Sequence, residues 1–181
     1  MLGLGRTVDD VLLPSMREVG ARWSRGQCDA QEERAATAAV RAWLAQCRPM
    51  APPPSQDAPV VLACGPLDHH TLGLEVFEVM LAHARFACVN LGSQIQPDTL
   101  ATTVDESRAQ AVVLVSHSAG NRAAAVGALS RLERTGTALF YAGAAFRTRA
   151  TRQRTPGQYL GCNFSRAVAD VTAQLRYAVP R

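Results

Sequence analysis

One short loop of this chain contains an aspartate and two histidines at a spacing that suits metal binding. The loop from Asp68 to Gly73 reads D-H-H-T-L-G. A neutral imidazole nitrogen is a good ligand for a transition metal, and the second ring nitrogen needs a fixed hydrogen-bond partner. The Asp68 carboxylate, two residues before His70, can accept that N–H and set the tautomer. His70 is therefore the candidate ligand, His69 is a local competitor, and an ordinary polar loop is the alternative.

The segments around this loop alternate between strand and helix. Apolar runs predict strands at residues 60–64, 86–91, 111–116 and 138–143, with a short fifth strand at 159–160. Helices are predicted at 72–84, 97–108, 122–135 and 164–176. This alternation predicts an α/β fold with a Rossmann-like (flavodoxin-like), five-stranded parallel sheet covered by helices.

The ligand crevice of such a sheet lies beyond the carboxyl ends of its strands. The histidine loop follows the first predicted strand, and the loops S-H-S-A-G-N and A-G-A-A-F follow the third and fourth. Because these loops meet at one edge of the sheet, their residues are binding candidates.

The first loop contains D-x-H-x-x-G and resembles the signature of cobalamin-binding domains. The segment from Ser116 to Ser118 resembles the serine-containing loop of that family. The segment from Ala142 to Phe146 resembles its G-G-x-x-F sequence, with alanine in place of the first glycine. The resemblance covers about residues 60–175.

The resemblance implies a role for each matched residue. His70 would coordinate cobalt from below, and Gly73 would let the chain approach the corrin or its tail. The base of the nucleotide tail would insert beside the first strand, where the serines and small residues supply hydroxyls and space. The cofactor-binding set is thus Gly65, Asp68, His69, His70, Gly73, Ser116, Ser118, Ala142, Gly143 and Ala144.

The N-terminal part of the chain is organised differently. Apolar spacing predicts two helices, at residues 8–24 and 29–48, and Asp29 is a plausible N-cap for the second. A proline-rich linker follows at residues 51–59. The expected organisation is a partial helical bundle at 1–50, the linker, and a cobalamin-binding domain at 60–181.

Trp23 and Glu33 have nine residues between them and resemble the W-x9-E-H motif of cobalamin photoreceptor regulators of the CarH type. The resemblance implies that both residues lie over the upper face of the corrin, near the adenosyl group. A tryptophan that only packs in the helical bundle is the alternative. Arg34 replaces the motif's histidine, and a protonated guanidinium cannot ligate cobalt. A bis-histidine product after illumination is therefore not expected, unless His69, His83 or His117 reaches the metal.

Together these features lead to the hypothesis of a cobalamin-binding regulatory or sensor protein, responsive to light or to corrinoid state. Adenosylcobalamin is the expected form, with methyl- or hydroxocobalamin as alternatives. The alternative function is a corrinoid carrier subunit of a methyltransferase, mutase or other cobalamin-dependent enzyme, although methyl-carrying corrinoid proteins usually lack the tryptophan motif. Storage or delivery of cobalamin is a third possibility. We expect a sensor rather than a catalyst.

In the related regulators a four-helix bundle covers the corrin, and only its last two helices have counterparts here. We therefore expect a second copy of the chain, or a partner regulatory protein, to complete the bundle. No autonomous DNA-binding motif is recognisable, so an effect on transcription would require a partner chain.

Composition limits the alternatives. The 181 residues are 48% hydrophobic and 19% charged, which excludes a disordered chain. No apolar run approaches the ~20 residues of a membrane span, and no secretory signal is recognisable, so a cytoplasmic protein is expected. No G-x-G-x-x-G fingerprint supports a nucleotide-binding domain.

The arginine and cysteine content gives little evidence about function. The net charge of +4 depends on arginine alone. Four arginines within residues 147–154 predict either a solvated loop or a phosphate site. The five cysteines form no C-x-x-C pair, so all five are predicted to be reduced and structural.

Overall fold

A single parallel sheet forms the centre of the computed structural model, which describes residues 3–177. Its strands are β1 (Val60–Cys64), β2 (Cys88–Asn90), β3 (Ala111–Val115), β4 (Ala138–Ala142) and β5 (Gln158–Tyr159). Their order is β2-β1-β3-β4-β5, and every neighbouring pair is parallel. This is the flavodoxin-like order, so the predicted fold class is confirmed. The edge strand β2 is shorter than predicted, and β5 begins one residue earlier.

Helices precede and interleave with the strands. They are α1 (Leu4–Arg6), α2 (Leu13–Ser24), α3 (Ala30–Cys47), α4 (Leu72–His83), α5 (Pro97–Glu106), α6 (Arg122–Leu132), α7 (Arg149–Arg152) and α8 (Phe164–Tyr177). A π-helical segment, Thr7–Leu12, joins α1 to α2, so the first helical stretch begins before the predicted residue 8. The short α7 lies within the arginine-rich run. No helix among the described residues could cross a membrane.

The predicted cap of α3 is present. The Asp29 side chain accepts the backbone N–H groups of Gln31 and Glu32, both at 2.8 Å. The Glu32 carboxylate in turn accepts the N–H of Asp29 at 2.9 Å, which completes a capping box. The start of α3 is therefore encoded locally.

Two apolar clusters cover the two faces of the sheet. Successive β1 residues point to opposite faces, so Val61 packs with α5 and α6 whereas Leu62 packs with α4 and α8. Every residue of β1 and β3 is buried. This double coverage explains why both strands are continuous apolar runs in the sequence.

A third apolar cluster joins the N-terminal helices to the sheet domain. Val8, Leu44 and Cys47 pack against Val76 and Met80 on the side of α4 that faces away from the sheet. The surface that the N-terminal helices need is thus supplied in part by α4. Val11 and Trp23 remain 49% and 57% exposed.

Polar contacts reinforce this junction. The Asp9 carboxylate accepts the N–H groups of Phe164 at 2.8 Å and Ser165 at 3.0 Å, at the start of α8. The Arg41 guanidinium pairs with Glu75 on α4 at 2.8 Å. A carboxylate at a helix N-terminus satisfies backbone donors that have no partner within the helix. Asp9 therefore links the first helical stretch to the last helix.

The proline-rich segment extends along the turn between α4 and β2. The backbone N–H of Ser55 donates to the Arg85 carbonyl at 2.8 Å, and the Arg85 guanidinium donates to the Pro53 carbonyl at 3.3 Å. These contacts attach the segment to the sheet domain.

Replacing Asp9 by alanine tests the link to α8. We expect Asp9→Ala to lower the free energy of unfolding by about 1–2 kcal/mol, because two helix N–H groups lose their acceptor. Urea denaturation followed by circular dichroism measures the change. Asp10→Ala is the matched control, since Asp10 is exposed and makes no hydrogen bond within the described residues. Equal effects of the two substitutions would contradict the capping role.

Candidate functional site

A buried carboxylate organises the loop after β1. The Asp68 side chain is 1% exposed. Its Oδ1 atom accepts the backbone N–H of His70 at 3.1 Å and lies 2.8 Å from the ring Nδ1 of His70. Its Oδ2 atom accepts the backbone N–H of His117, from the loop after β3. Asp68 thus joins the two loops at the point where the strand order reverses.

These contacts keep Asp68 ionised and select one tautomer of a neutral His70 ring. Burial raises the pKa of Asp68, but the N–H groups of His117 and His70 outweigh it and hold that pKa below its usual value. An ionised carboxylate can only accept, so the His70 proton must be on Nδ1. The Nε2 atom of His70 is then a free electron-pair donor on a ring whose side chain is 68% exposed.

Two cavities meet beside His70. The first, here called the histidine cavity, has a volume of about 440 Å³ and lies between the N-terminal helices and the histidine loop. The second, here called the apolar cavity, has a volume of about 310 Å³ and lies between the loops after β3 and β4 and the start of α8. Both are lined by Leu13, Arg17, Gly73 and His117. The two cavities therefore adjoin.

Gly143 permits a close crossing of two loops. Its φ is +105°, and a Cβ atom there would lie 2.1 Å from the carbonyl oxygen of Ser116. That carbonyl accepts the N–H of Ala145 at 3.1 Å, and the Ser116 N–H donates to Ala142 at 3.0 Å. Only glycine combines this backbone conformation with this approach.

The Ser116 hydroxyl is a buried polar group without a partner. Its residue is 0% exposed, and its Oγ atom makes no hydrogen bond to any described residue. Ser116 lines neither cavity, although the adjacent residues Val115 and His117 line the apolar one. The side chain of Ala142 lines that cavity where the family pattern has glycine.

Most of the predicted site residues come together. The histidine cavity is lined by Glu33, His69, His70 and Gly73, and the apolar cavity by Gly73, Ala142, Gly143 and Ala144. Five predicted residues line neither cavity, and two of them, Asp68 and Ser116, are buried polar residues. Trp23 is exposed near the end of α2, Ser118 is exposed, and Gly65 is buried where a Cβ atom would lie 3.2 Å from that of Ala125.

The other histidines have different surroundings. A ring nitrogen of His69 lies 2.6 Å from the side-chain nitrogen of Gln94, so it faces the loop after β2 without a carboxylate partner. The Nε2 atom of His83 lies 2.9 Å from the carbonyl oxygen of Cys47, and His83 lines neither cavity. His70 is the histidine oriented by a direct carboxylate hydrogen bond.

His117 is closer to the site than the sequence indicated. Its ring centroid lies 5.1 Å from that of His70, and its buried Nδ1 lies 3.8 Å from Asp68 Oδ1 without a hydrogen bond. Burial lowers the pKa of His117, although Asp68 opposes the shift. In the sequence, the position of His117 in the loop after a buried strand is the feature that could have indicated a place in the site.

The large apolar residues that line the apolar cavity were not indicated by the sequence. Large apolar walls come from Phe77 on α4 and Phe164 on α8, with Val113 and Ala167 between them. These residues read as ordinary core positions, because each is apolar and lies on a buried face of its element.

The cysteines have no catalytic surroundings. All five are free thiols. Burial raises the pKa of both Cys64 and Cys88 to about 12, so both stay protonated at neutral pH. Cys162 is exposed and lines the apolar cavity. The predicted reduced state agrees with the structure.

Two family profiles match the chain. A family described as a B12 binding domain matches residues 58–165, and a second family with the same description matches residues 2–48. The two matches correspond to the sheet domain and to the N-terminal helices. No curated protein sequence matches the chain.

Three solved structures share the fold. The monomethylamine corrinoid protein of Methanosarcina barkeri has a TM-score of 0.78 at 14% identity, covering 96% of this chain and 84% of that chain. A cobalamin-binding protein of Desulfitobacterium hafniense has a TM-score of 0.59 at 18% identity, covering 94% and 82%. The methanol:cobalamin methyltransferase complex of Methanosarcina barkeri has a TM-score of 0.60 at 16% identity, covering 96% and 68%. None of these three is described as a photoreceptor regulator.

Replacing Gly143 tests the loop crossing. We expect Gly143→Ala to lower the free energy of unfolding by about 2–4 kcal/mol, because the added Cβ atom collides with the Ser116 carbonyl in a left-handed conformation. Denaturant titration measures the loss. Gly127→Ala is the control: Gly127 lies in α6 with open space around it, so alanine there should stabilise by about 0.5–1 kcal/mol. A fully stable Gly143→Ala variant would contradict the crossing.

Proposed function

The chain belongs to the B12-binding domain family, and from that premise we propose that it is a corrinoid carrier, which holds cobalamin and presents it to a partner enzyme during methyl transfer. The observation that carries the proposal is the Asp68–His70 pair, whose His70 ring lines the histidine cavity next to the apolar cavity. Two of the three structural relatives support it, because one is a monomethylamine corrinoid protein and another is a methanol:cobalamin methyltransferase complex.

The residues present fit a cobalamin bound through histidine. His70 Nε2 would be the lower ligand, and Asp68 would hold the ring and strengthen its donor character. The apolar cavity, whose lining includes the small residues Gly73, Ala142 and Gly143, would take the base of the nucleotide tail. When bound, the cobalt centre supplies the ability to accept and release a methyl group.

The N-terminal helices would cover the other side of the corrin. Residues 1–50 then serve as a cap, 51–59 as the connecting segment and 60–181 as the cobalamin-binding domain. The position of Glu33 in the lining of the histidine cavity supports this division. Methylcobalamin is the form we propose for a carrier in its loaded state.

A light- or corrinoid-responsive sensor is the second candidate. The W-x9-E spacing favours it, and Glu33 lines the histidine cavity. The position of Trp23 weighs against it, because a residue that senses the upper ligand should face the cofactor, and Trp23 lines neither cavity. A sensor would carry adenosylcobalamin and change its interfaces when the upper ligand is lost. A cytoplasmic location stays a prediction for either candidate.

Both candidate functions would involve a surface that binds a partner. Val11 and Trp23 are large exposed apolar side chains on the first helical stretch. We propose that a partner protein, or a second copy of the chain, covers this side of the N-terminal helices. A strictly monomeric cobalamin-loaded protein, measured by light scattering alone and with the partner enzyme, would contradict this.

Removing His70 tests the lower ligand. We expect His70→Ala to weaken cobalamin binding at least about tenfold and to shift the spectrum towards that of cobalamin without a lower base, because cobalt loses its nitrogen donor. Absorbance titration measures both changes. His83→Gln is the control, since His83 lies outside both cavities. Loss of binding in His69→Ala but not in His70→Ala would identify His69 as the ligand instead.

Methyl transfer separates the two candidate functions. We expect the protein loaded with reduced cobalamin to acquire a methylcobalamin spectrum when methanol or a methylamine and the matching methyltransferase are added. The comparison is the adenosylcobalamin-loaded protein, illuminated and analysed by size-exclusion chromatography. Free adenosylcobalamin is itself photolabile, so the decisive sign of a sensor is a change in oligomer size on illumination. That change, without methylation by any methyltransferase, would contradict the carrier.

A further inference from the structure

We propose that Arg17 binds the phosphodiester of the corrinoid's nucleotide tail, with Arg147 as a second contact, and so makes this chain selective for corrinoids that carry the tail phosphate. The inference rests on the proposed function. It concerns a residue of the N-terminal helices that no feature of the cobalamin-binding loops would have indicated.

Arg17 lies where the two cavities meet. Four residues line both cavities, namely Leu13, Arg17, Gly73 and His117. Leu13 and Gly73 carry no charge, and the pKa of His117 is lowered, which favours its neutral form. Arg17 is thus the permanent positive charge at the junction.

The chemistry of cobalamin places an anion at this same point. Its tail runs from the corrin ring through an aminopropanol linker and a phosphodiester to a ribose and an aromatic base. If the corrin lies over His70 in the histidine cavity and the base fills the apolar cavity, the phosphodiester must pass the residues that line both. A guanidinium is suited to such a group, because its fork of donors matches two phosphate oxygens.

The Arg17 side chain is held in place by a hydrogen bond and has further N–H donors available for a ligand. Its Nη2 atom donates to the Cys162 carbonyl at 3.2 Å, which holds the side chain across from α2 to the segment before α8. That bond uses one of five guanidinium donors. Within residues 3–177, Arg17 forms no ion pair with a carboxylate.

The apolar cavity has an unbalanced positive charge. Arg17 and Arg147 line it, and no aspartate or glutamate does so. Arg147 likewise has no carboxylate partner in the described part of the chain. By contrast, Arg41 in the histidine cavity is paired with Glu75 at 2.8 Å. Two guanidinium groups without carboxylate partners in one cavity suit an anionic ligand.

Three corrinoids separate the contribution of each part of the tail. Cobalamin has the phosphodiester and the base, cobinamide phosphate has a phosphate without the base, and cobinamide has neither. We expect Arg17→Gln to weaken cobalamin and cobinamide phosphate by about tenfold to a hundredfold, the strength of a hydrogen bond to a charged group. The affinity for cobinamide should not change. Absorbance titration of the purified chain measures all three dissociation constants.

Further variants separate the effect of a specific phosphate contact from a general effect of charge on the protein. Arg17→Lys should retain part of the phosphate affinity, because it keeps the charge but not the fork of donors. Arg147→Gln should weaken the same two ligands, by a smaller factor than Arg17→Gln. The matched controls are Arg22→Gln on α2 and Arg149→Gln on α7, which remove a charge from residues that line neither cavity. Both controls should bind all three corrinoids as the original chain does.

The outcomes distinguish this inference from the function on which it rests. If the unmodified chain binds cobalamin with histidine ligation, but Arg17→Gln weakens all three corrinoids equally or none of them, the assignment of Arg17 is wrong and the carrier proposal stands. If the controls lose as much affinity as Arg17→Gln, general charge explains the effect and the assignment is likewise wrong. If the unmodified chain binds no corrinoid, both proposals fail.

Discussion

The buried carboxylate of Asp68 is the constraint on which the rest of this structure depends. Removing an ionised carboxylate from water costs several kcal/mol unless hydrogen bonds compensate. Here two donors come from His70 and one from the backbone of His117. Because these donors belong to the loops after β1 and β3, the carboxylate is stable only if those strands are adjacent and parallel. The order β2-β1-β3 provides that neighbourhood.

Helix α4 connects the histidine loop to the N-terminal helices, because it packs against both the sheet and those helices. It begins directly after the histidine loop, packs on the sheet through Phe77, and packs on the N-terminal helices through Val76 and Met80. A helix that is apolar on two sides fixes the distance between the layers that it separates. Glu33 and Arg17 can therefore line a cavity that also contains His70.

Whether a structural feature could be predicted from the sequence depends on how far apart along the chain the interacting residues lie. The strands β1 and β3 were predictable because a doubly covered strand is apolar along its whole length. The two edge strands were also predicted, but their bounds were not, because two or three residues contain too little periodicity. Trp23 lies at helical spacing, yet the packed residues of its helical stretch are Leu4, Val8, Leu12 and Leu13. Periodicity identifies an apolar face but not how far along the helix its neighbour extends.

The sequence by itself determined the pairing of Asp68 with His70, the capping box at Asp29 and the alternation of strands and helices. All three depend on residues within one turn or one element, where spacing along the chain sets spacing in space. Only the tertiary structure decided that Arg17, Gly73 and His117 line two adjoining cavities. It also decided that Phe77 and Phe164 form the walls of one of them. These residues come from distant segments, and their meeting depends on how α4 and α8 pack against the sheet, which no local pattern encodes.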